Sequence, residues 1–350
     1  MFFRYLTGRT KQYHSGNGKP VISIFAELLK WEYKEHYFNK MYFAFGLNRK
    51  NTLQDDYTGR RTFLKIKDEV EYILKRKAGC KDLNYDIITK DKFFANSIFN
   101  ANGIPAIENM ALIKGNHVLF NDGSRKSLES LLELHGIFYI KNTVLEAGDG
   151  IITLDTGNKT FGFKEKKFTI DHFKQIIADK IWIVQEQHHS HKEIKKINAT
   201  ALNTTRIVTI MNGTEPEYLS GFQAFATNDS TNDSWNTGSV YVGIDPENNC
   251  LKEFGYYSLH VKNKSLCTSH PDSGIVFKGY KIPFLKEAIE LCLKAHQLLY
   301  FNFVIGWDVA ITDKGPVIVE ANEKPGMNAV QCVDGGLKRK IMHNASKYIY

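Results

Sequence analysis

The stretch GWDVAITDKGPVIVEANEKPG, residues 306–326, reads as a single hairpin. GWDVAIT and PVIVEAN both carry strand composition, and Asp313, Lys314 and Gly315 fall at the turn between them. If the loop holds an odd number of residues centred on Lys314, Asp308 stands opposite Glu320 and Gly306 opposite Asn322. Alternation along each strand then predicts one apolar face of Trp307, Val309, Ile311, Val317, Val319 and Ala321. The other face carries Asp308, Ala310, Ile318, Glu320 and Asn322. An even-length loop would send Asp308 and Glu320 to opposite faces.

In the odd register the three polar groups meet at the open end of the hairpin. Directly paired Cβ atoms lie about 4.5–5.5 Å apart, and like charges held there are destabilising. Such a pair needs a counterion or a shared proton. Hard oxygen ligands without His or Cys beside them suit Mg²⁺ or Mn²⁺, with phosphate oxygens and water completing the shell. Gly306 is expected to leave room for those oxygens. The pattern alone also fits an exposed hairpin with solvated charges, and both readings stay open at this point.

The whole chain narrows the field. It has 350 residues, 43% of them hydrophobic, enough for one large domain or two to three lobes. A net charge of +8 favours anionic partners, but the Lys and Arg are interleaved with Asp and Glu. Without a long basic run, a nucleic-acid surface is not expected. The five Cys are widely separated and unpaired in spacing, which reads as reduced thiols in a cytoplasmic protein. The first residues lack the apolar core of a signal peptide, and no run of about 18 apolar residues is present to span a bilayer.

Periodicity supplies the other elements. Residues 21–47 read as an aromatic helix with Phe25, Leu28, Leu29, Tyr33, His36, Tyr37 and Met41 near helical spacing. That stripe is read as packing on the protein rather than on a membrane surface. LKIKDEVEYILKRKAGC is a second helix ending near Gly79, and DKFFANSIFNANGIP a third, started at Asp91 and closed by Gly103 and Pro105. MALIKGNHVLF predicts a hairpin on a Gly-Asn turn, and SRKSLESLLELHG an amphipathic helix. FYIKN, IWIVQEQ, TRIVTIM, GFQAFAT and GSVYVGID read as strands, and FTIDHFKQIIADK as a helix. PFLKEAIELCLKAHQLLY is a helix with Pro283 at its first position and Cys292 on its apolar stripe. Strands and helices mix without a βαβ rhythm, so the expected class is α+β with antiparallel sheets.

Other motifs have plain readings. The run HHSH, residues 188–191, lacks the partners of a zinc set, and a solvated loop is expected. No Gly-x-Ser-x-Gly elbow supports hydrolase chemistry. Lone lysines are usually surface charges, but Lys141 follows the apolar IFYI and precedes a Gly-bearing loop. Arg206 heads an apolar strand, where a structural ion pair and a functional cation fit equally well.

Taken together, GWD at 306–308, TDKGP at 312–316 and EAN at 320–322 resemble the ATP-grasp superfamily, in its sugar-transfer-associated branch from bacterial polysaccharide genes. The resemblance covers roughly residues 88–335. It implies Asp308, Glu320 and Asn322 as ligands of Mg²⁺ (or Mn²⁺) on ATP. It makes Lys141 the small-lobe phosphate lysine and EAGDG, with Gly148 and Gly150, the loop over the phosphates. Lys92 resembles the earlier lysine of the nucleotide site. IWIVQEQ resembles the inter-lobe strand whose backbone meets adenine, with Gln185, Glu186 and Gln187 at its end. NTTRIVT makes Arg206 the cation near the transferred phosphate. HPDSG with the later Ile-Pro, 270–283, also fits the branch.

The implied architecture is an ATP-grasp fold: two α+β lobes with antiparallel sheets gripping ATP, plus an N-terminal helical region. The expected boundaries are 1–87 for that region, 88–184 for the small lobe and 185–350 for the large lobe. The implied activity is an ATP-dependent ligase joining a carboxylate to an amine through an acyl phosphate. Its substrates would be small or sugar-linked, with peripheral contact to polysaccharide machinery and no nucleic acid. A phosphotransferase acting on a sugar hydroxyl, or a degenerate scaffold, are the alternatives.

Overall fold

Antiparallel pairing runs through both sheets of the protein, as the mixed order of elements predicts. The structure is a computed structural model that describes residues 18–83, 85–144, 151–163, 166–177, 180–234, 238–257 and 266–349. The first sheet is built from β1 (Asn109–Lys114), β2 (His117–Phe120), β3 (Arg125–Ser127), β4 (Ile137–Asn142), β5 (Ile152–Asp155), β6 (Thr160–Phe163), β7 (Lys166–Phe168) and β8 (Ile181–Glu186). Its order is β3-β2-β1-β8-β4-β5-β6-β7, so the late strand β8 is threaded between β1 and β4. The second sheet holds β9 (Thr205–Asn212), β10 (Glu215–Phe225), β11 (Val240–Asp245), β12 (Cys250–Tyr257), β13 (Leu266–Cys267), β14 (Val304–Thr312) and β15 (Gly315–Asn322). Its order is β13-β12-β11-β10-β9-β14-β15, which sets β9 beside β14.

Helices cover these sheets: α1 (Val21–Glu35), α2 (Arg60–Lys77), α3 (Asp86–Lys90), α4 (Lys92–Ala101), α5 (Ile170–Ile177), α6 (Lys192–Ile197), α7 (Leu285–Leu298), α8 (Met327–Asp334) and α9 (Lys338–Ile349). One face of the second sheet, with Trp307, Val309 and Ile311, packs on Ala288, Cys292 and Ala295 of α7 and Phe99 of α4. The opposite face, with Val208, Ile210 and Phe222, packs on Phe63 and Val70 of α2, Val330 of α8 and Ile341 of α9. The first sheet buries Ile113, Phe138 and Ile140 with Phe173 and Ile177 of α5. On β4 this inward set alternates with Tyr139 and Lys141, which therefore lie on the opposite face.

Local signals that rest on turn and cap chemistry hold. The β1–β2 hairpin closes with Lys114 paired to His117 around Gly115, whose φ of 56° needs no Cβ. Asp91 caps α4 by accepting from the Phe93 and Phe94 amides at 2.9 and 3.3 Å.

Signals that rest on apolar periodicity fare less well. The aromatic helix ends at Glu35, where His36 takes φ 59°, rather than running to residue 47. Tyr42, Phe43, Phe45 and Leu47 then fold back and bury against Ile24, Leu28 and Trp31. The inward face is thus Ile24, Leu28 and Trp31, whereas Leu29 and Tyr33 are exposed. With aromatics on every side of the helix, spacing alone does not choose a face. The SLESLLE stretch forms 3₁₀ turns over Leu128–Glu133, not an α-helix. Helix α7 begins at Leu285 behind Phe284, so Pro283 precedes the cap and does not open the helix.

A buried ion pair ties α2 to the second sheet. Lys67 and Glu71 are 2% and 4% exposed, and their side chains meet at 2.6 Å. The other Glu71 oxygen accepts the Phe303 amide at 2.8 Å, at the start of the chain's approach to β14. Burial pushes the Glu71 carboxyl above its usual range, with Lys67 pulling the other way.

Candidate active site

The β14–β15 hairpin reaches the expected register by a different route. Its turn holds two residues, Asp313 and Lys314, because Thr312 pairs directly with Gly315. An even turn alone would separate the carboxylates. A shift between Asp308 and Val309 restores the parity: Val309 faces Ile318, whereas Asp308 faces Glu320, leaving Val319 as the extra residue of a bulge. At the open end, Asp308 pairs with Glu320 and Gly306 with Asn322. Between bulge and turn the faces of β15 are exchanged, whereas β14 keeps Val309 and Ile311 inward. Ile318 is buried in the core with Trp307, whereas Val317 and Val319, expected there, are only half-buried.

Neighbouring elements bring cations to these acids. Arg206 on β9 is the register partner of Asp308. Its Nε donates to Asp308 Oδ1 at 2.6 Å and its Nη2 to Oδ2 at 2.9 Å, a two-pronged pair. Burial opposes the guanidinium charge, yet Asp308 holds its pKa above the ordinary value. Asn322 Nδ2 donates to Asp308 Oδ2 at 3.3 Å. Lys92, the first residue of α4, meets Glu320 Oε1 at 3.1 Å. Its backbone amide donates to the Thr143 carbonyl at 2.9 Å, which ties the start of α4 to the end of β4.

Lys141 comes from the first sheet into the same field. Desolvation and, less strongly, Lys92 lower its ammonium to about 8, against the opposing pull of Glu320. The ammonium lies 5.8 Å from the Tyr139 ring centroid. The chain's entry into the first sheet and its crossing to the second both run over the hairpin. The segment before β1 exchanges hydrogen bonds with Ile318, through the Ile107 amide and the Pro105 carbonyl, each at 2.9 Å. The segment after β8 donates from the His191 amide to the Ile311 carbonyl at 2.7 Å. The hairpin is therefore where the two sheets are joined.

Gly306 has another use than the one expected. A Cβ there would sit 2.9 Å from Pro325 Cβ and 3.4 Å from Arg206 Nη1. The space beside it is filled by protein, and the glycine lets Pro325 and Arg206 close in. Gly306→Ala is expected to displace one of them, with about 1–3 kcal/mol lost in stability. Thermal melts alongside turnover would check this, with turnover falling by about 10²-fold if Arg206 shifts by an ångström.

Three of the remaining expected residues lie at the end of β8 and just after it. Gln185 is buried in the sheet and donates to Asn109 Oδ1 at 2.9 Å, so its side chain is spent on the scaffold. Glu186 is exposed and pairs with Phe138 in the ladder. Gln187 donates from its side chain to the Tyr139 hydroxyl at 3.1 Å and from its amide to the Ile137 carbonyl at 3.2 Å. Gly148 and Gly150 lie outside the described residues. Among the described residues, no cluster of three His, Cys, Asp or Glu side chains is placed to hold a metal. His191 caps α6 by accepting the Glu193 amide at 3.1 Å.

Sequence reasoning misses one acid, and it singles out the HPDSG motif without showing its use. Asp233 accepts from the Thr204 amide at 2.6 Å and its hydroxyl at 2.7 Å, two residues from Arg206. Burial, with the Asp308 charge adding, pushes its carboxyl up to about 6. It sits in the polar run NDSTNDSW, where nothing marks one acid from another. The motif is a brace. His270 is fully buried and its Nε2 lies 2.9 Å from the Ala226 carbonyl, whereas Asp272 accepts the Asn228 amide at 2.8 Å. HPDSG thus holds the segment that leads to Asp233.

Two antiparallel sheets joined across one hairpin, with acids and cations converging at its open end, define an ATP-grasp protein. The profile of the sugar-transfer associated ATP-grasp family matches residues 71–346, and the chain belongs to that family. The match reaches beyond the 88–335 that the motifs alone cover. No curated protein matches the chain. Among solved structures, it is similar to the D-alanine–D-alanine ligase of Bacillus anthracis complexed with ATP, at 12% identity and a TM-score of 0.43, over 74% of this chain and 67% of that one. The D-alanine–D-alanine ligase of Coxiella burnetii is similar at 10% identity and a TM-score of 0.41, over 75% of this chain and 58% of that one. The L-amino acid ligase of Bacillus licheniformis gives 11% and 0.41, over 77% and 51%. The chain thus spans little more than half of the latter two. Among the described residues, no helix is long and apolar enough to cross a membrane.

Proposed function

We propose that the protein is an ATP- and Mg²⁺-dependent ligase that joins a carboxylate to an amine through an acyl phosphate. The observation that carries this is the cross-strand pair Asp308–Glu320, with Asn322 beside it and Arg206 and Lys92 directly on its oxygens. The donor set suits a hard divalent ion: two carboxylates and one amide oxygen, since Asn322 spends its nitrogen on Asp308. Mg²⁺ held there would neutralise phosphate charge.

The chain's own groups supply the rest. Lys92 and Lys141 bind phosphate oxygens, and Arg206 faces the group being transferred. A substrate carboxylate attacks the γ-phosphorus, which forms an acyl phosphate and breaks the bond to ADP. An amine then attacks the acyl carbon and phosphate leaves. Positioning and charge stabilisation are the protein's work in both steps. The β8 end and the residues after it, Gln185 to Gln187, line the adenine side through their backbone. The family's association with sugar transfer favours a substrate linked to a sugar, in the cytoplasm where ATP is made.

The test supplies ATP, Mg²⁺ and candidate sugar acids and amino acids, with and without amines. Phosphate release that requires both acid and amine supports the ligase. A stable phosphorylated sugar made without amine would replace it with a phosphotransferase, and no nucleotide binding at all would leave a scaffold.

The Lys141 shift makes a further prediction. A lysine lowered to about 8 is part-neutral at that pH, and phosphate oxygens favour its charged form. Nucleotide binding near pH 8 is therefore expected to take up protons, and affinity to fall as pH rises through that value. Titration calorimetry in two buffers of different ionisation enthalpy reads the uptake, which Lys141→Met should remove.

A further inference from the structure

Each acid at the mouth of the β14–β15 hairpin is held by a cation of the protein itself. Arg206 covers both oxygens of Asp308, at 2.6 and 2.9 Å, and Lys92 covers Glu320 at 3.1 Å. These pairs are formed between distant parts of the chain. Arg206 is presented by the neighbouring strand β9, in register with Asp308. Lys92 is presented by the first turn of α4, which Asp91 caps and the Thr143 carbonyl anchors. All four side chains are only 13–23% exposed, so water screens them weakly. The next acid along, Glu323, repeats the arrangement with Lys90 at 3.3 Å. Each of these acids is therefore paired with a cation in the resting site.

We propose that Arg206 and Lys92 act as internal counterions that close the carboxylates to a free divalent cation, so that the metal enters only together with the nucleotide. The inference rests on the ATP and metal reading above. A dication arriving alone would have to displace a guanidinium and an ammonium and leave both stranded beside it. A triphosphate changes this balance, because its oxygens take over Arg206 and Lys92 and release Asp308 and Glu320 for the metal. The same two cations then serve twice, as place-holders in the free protein and as phosphate ligands in the loaded one. Loading in this order keeps the acids from being occupied by free metal.

The experiment is a titration of the intact chain with MnCl₂ alone, read by calorimetry and by the electron paramagnetic resonance of free Mn²⁺. Wild type is expected to show no binding at the acids. Lys92→Met and Arg206→Met are each expected to bind Mn²⁺ detectably, at least about 10-fold tighter than the detection limit that bounds wild type, as one opposing charge is removed. Adding Glu320→Gln to Lys92→Met should erase that gain. Melting curves establish that each variant is folded, and either one suffices for the comparison. Wild type that binds Mn²⁺ alone as tightly as the variants overturns the proposal, and so do folded variants that gain nothing. A separate arm titrates wild type with a non-hydrolysable ATP analogue in Mg²⁺. No heat in that arm defeats the nucleotide reading, whereas the Mn²⁺ series still decides whether the cations guard the acids.

Discussion

Asp308→Asn is expected to lower turnover by at least about 10²–10³-fold while the chain still melts in one cooperative step. Asp308 carries the densest set of contacts at the site: two bonds from Arg206 and one from Asn322. Asn keeps the shape and one accepting oxygen but removes the charge. The guanidinium then has no full counterion, and the proposed metal site loses one carboxylate oxygen. Some stability goes with it, because the pair is only 20% and 18% exposed. Glu320→Gln is expected to act in the same direction, with Lys92 losing its partner. Turnover and melting measured on the same preparations separate chemistry from folding. Near-normal turnover in either variant would remove the carboxylates from the proposed reaction.

Glu71→Ala is expected to produce the largest loss of stability, about 3–5 kcal/mol, because it strands a charge that has no route to water. Lys67 is 2% exposed, and it forms its ion pair with Glu71. The Phe303 amide loses its acceptor as well, at the point where the chain enters β14. Removing both charges together is a different case. Lys67→Met combined with Glu71→Leu keeps the volume and leaves only the amide unsatisfied, so the double variant should recover much of the loss. Denaturant unfolding of the single and double variants gives the comparison. A double variant less stable than Glu71→Ala would show that the ion pair itself, and not the stranded charge, carries the energy. Because this pair joins α2 to the second sheet, its loss is also expected to loosen the N-terminal helices from the rest of the protein.

The hairpin shows how far the residues can be followed in one dimension. Asp308, Glu320 and Asn322 meet at the open end, the outcome that the sequence tied to an odd loop. The path between them differs: a two-residue turn and a bulge at Val319 together shift the pairing by the same parity as one odd loop. A bulge has no reliable composition, since it depends on what the strand packs against, and here it turns Ile318 into the core under Trp307. The aromatic helix makes the same point. Apolar side chains surround it, and only the fold-back of Tyr42 to Leu47 selects Ile24, Leu28 and Trp31 as its inner face.

The ATP-grasp family, the antiparallel sheets and the acids at the strand ends were written into short segments, because turn chemistry, strand alternation and motif spacing act between residues close in the chain. The pairings that give those acids their electrostatic state join residues far apart. Arg206 reaches Asp308 across 102 positions because β9 lies beside β14. Lys92 reaches Glu320 because the start of α4 is anchored to β4 at the seam between the sheets. Charge interactions depend on distance and burial, and neither exists until the sheets have packed.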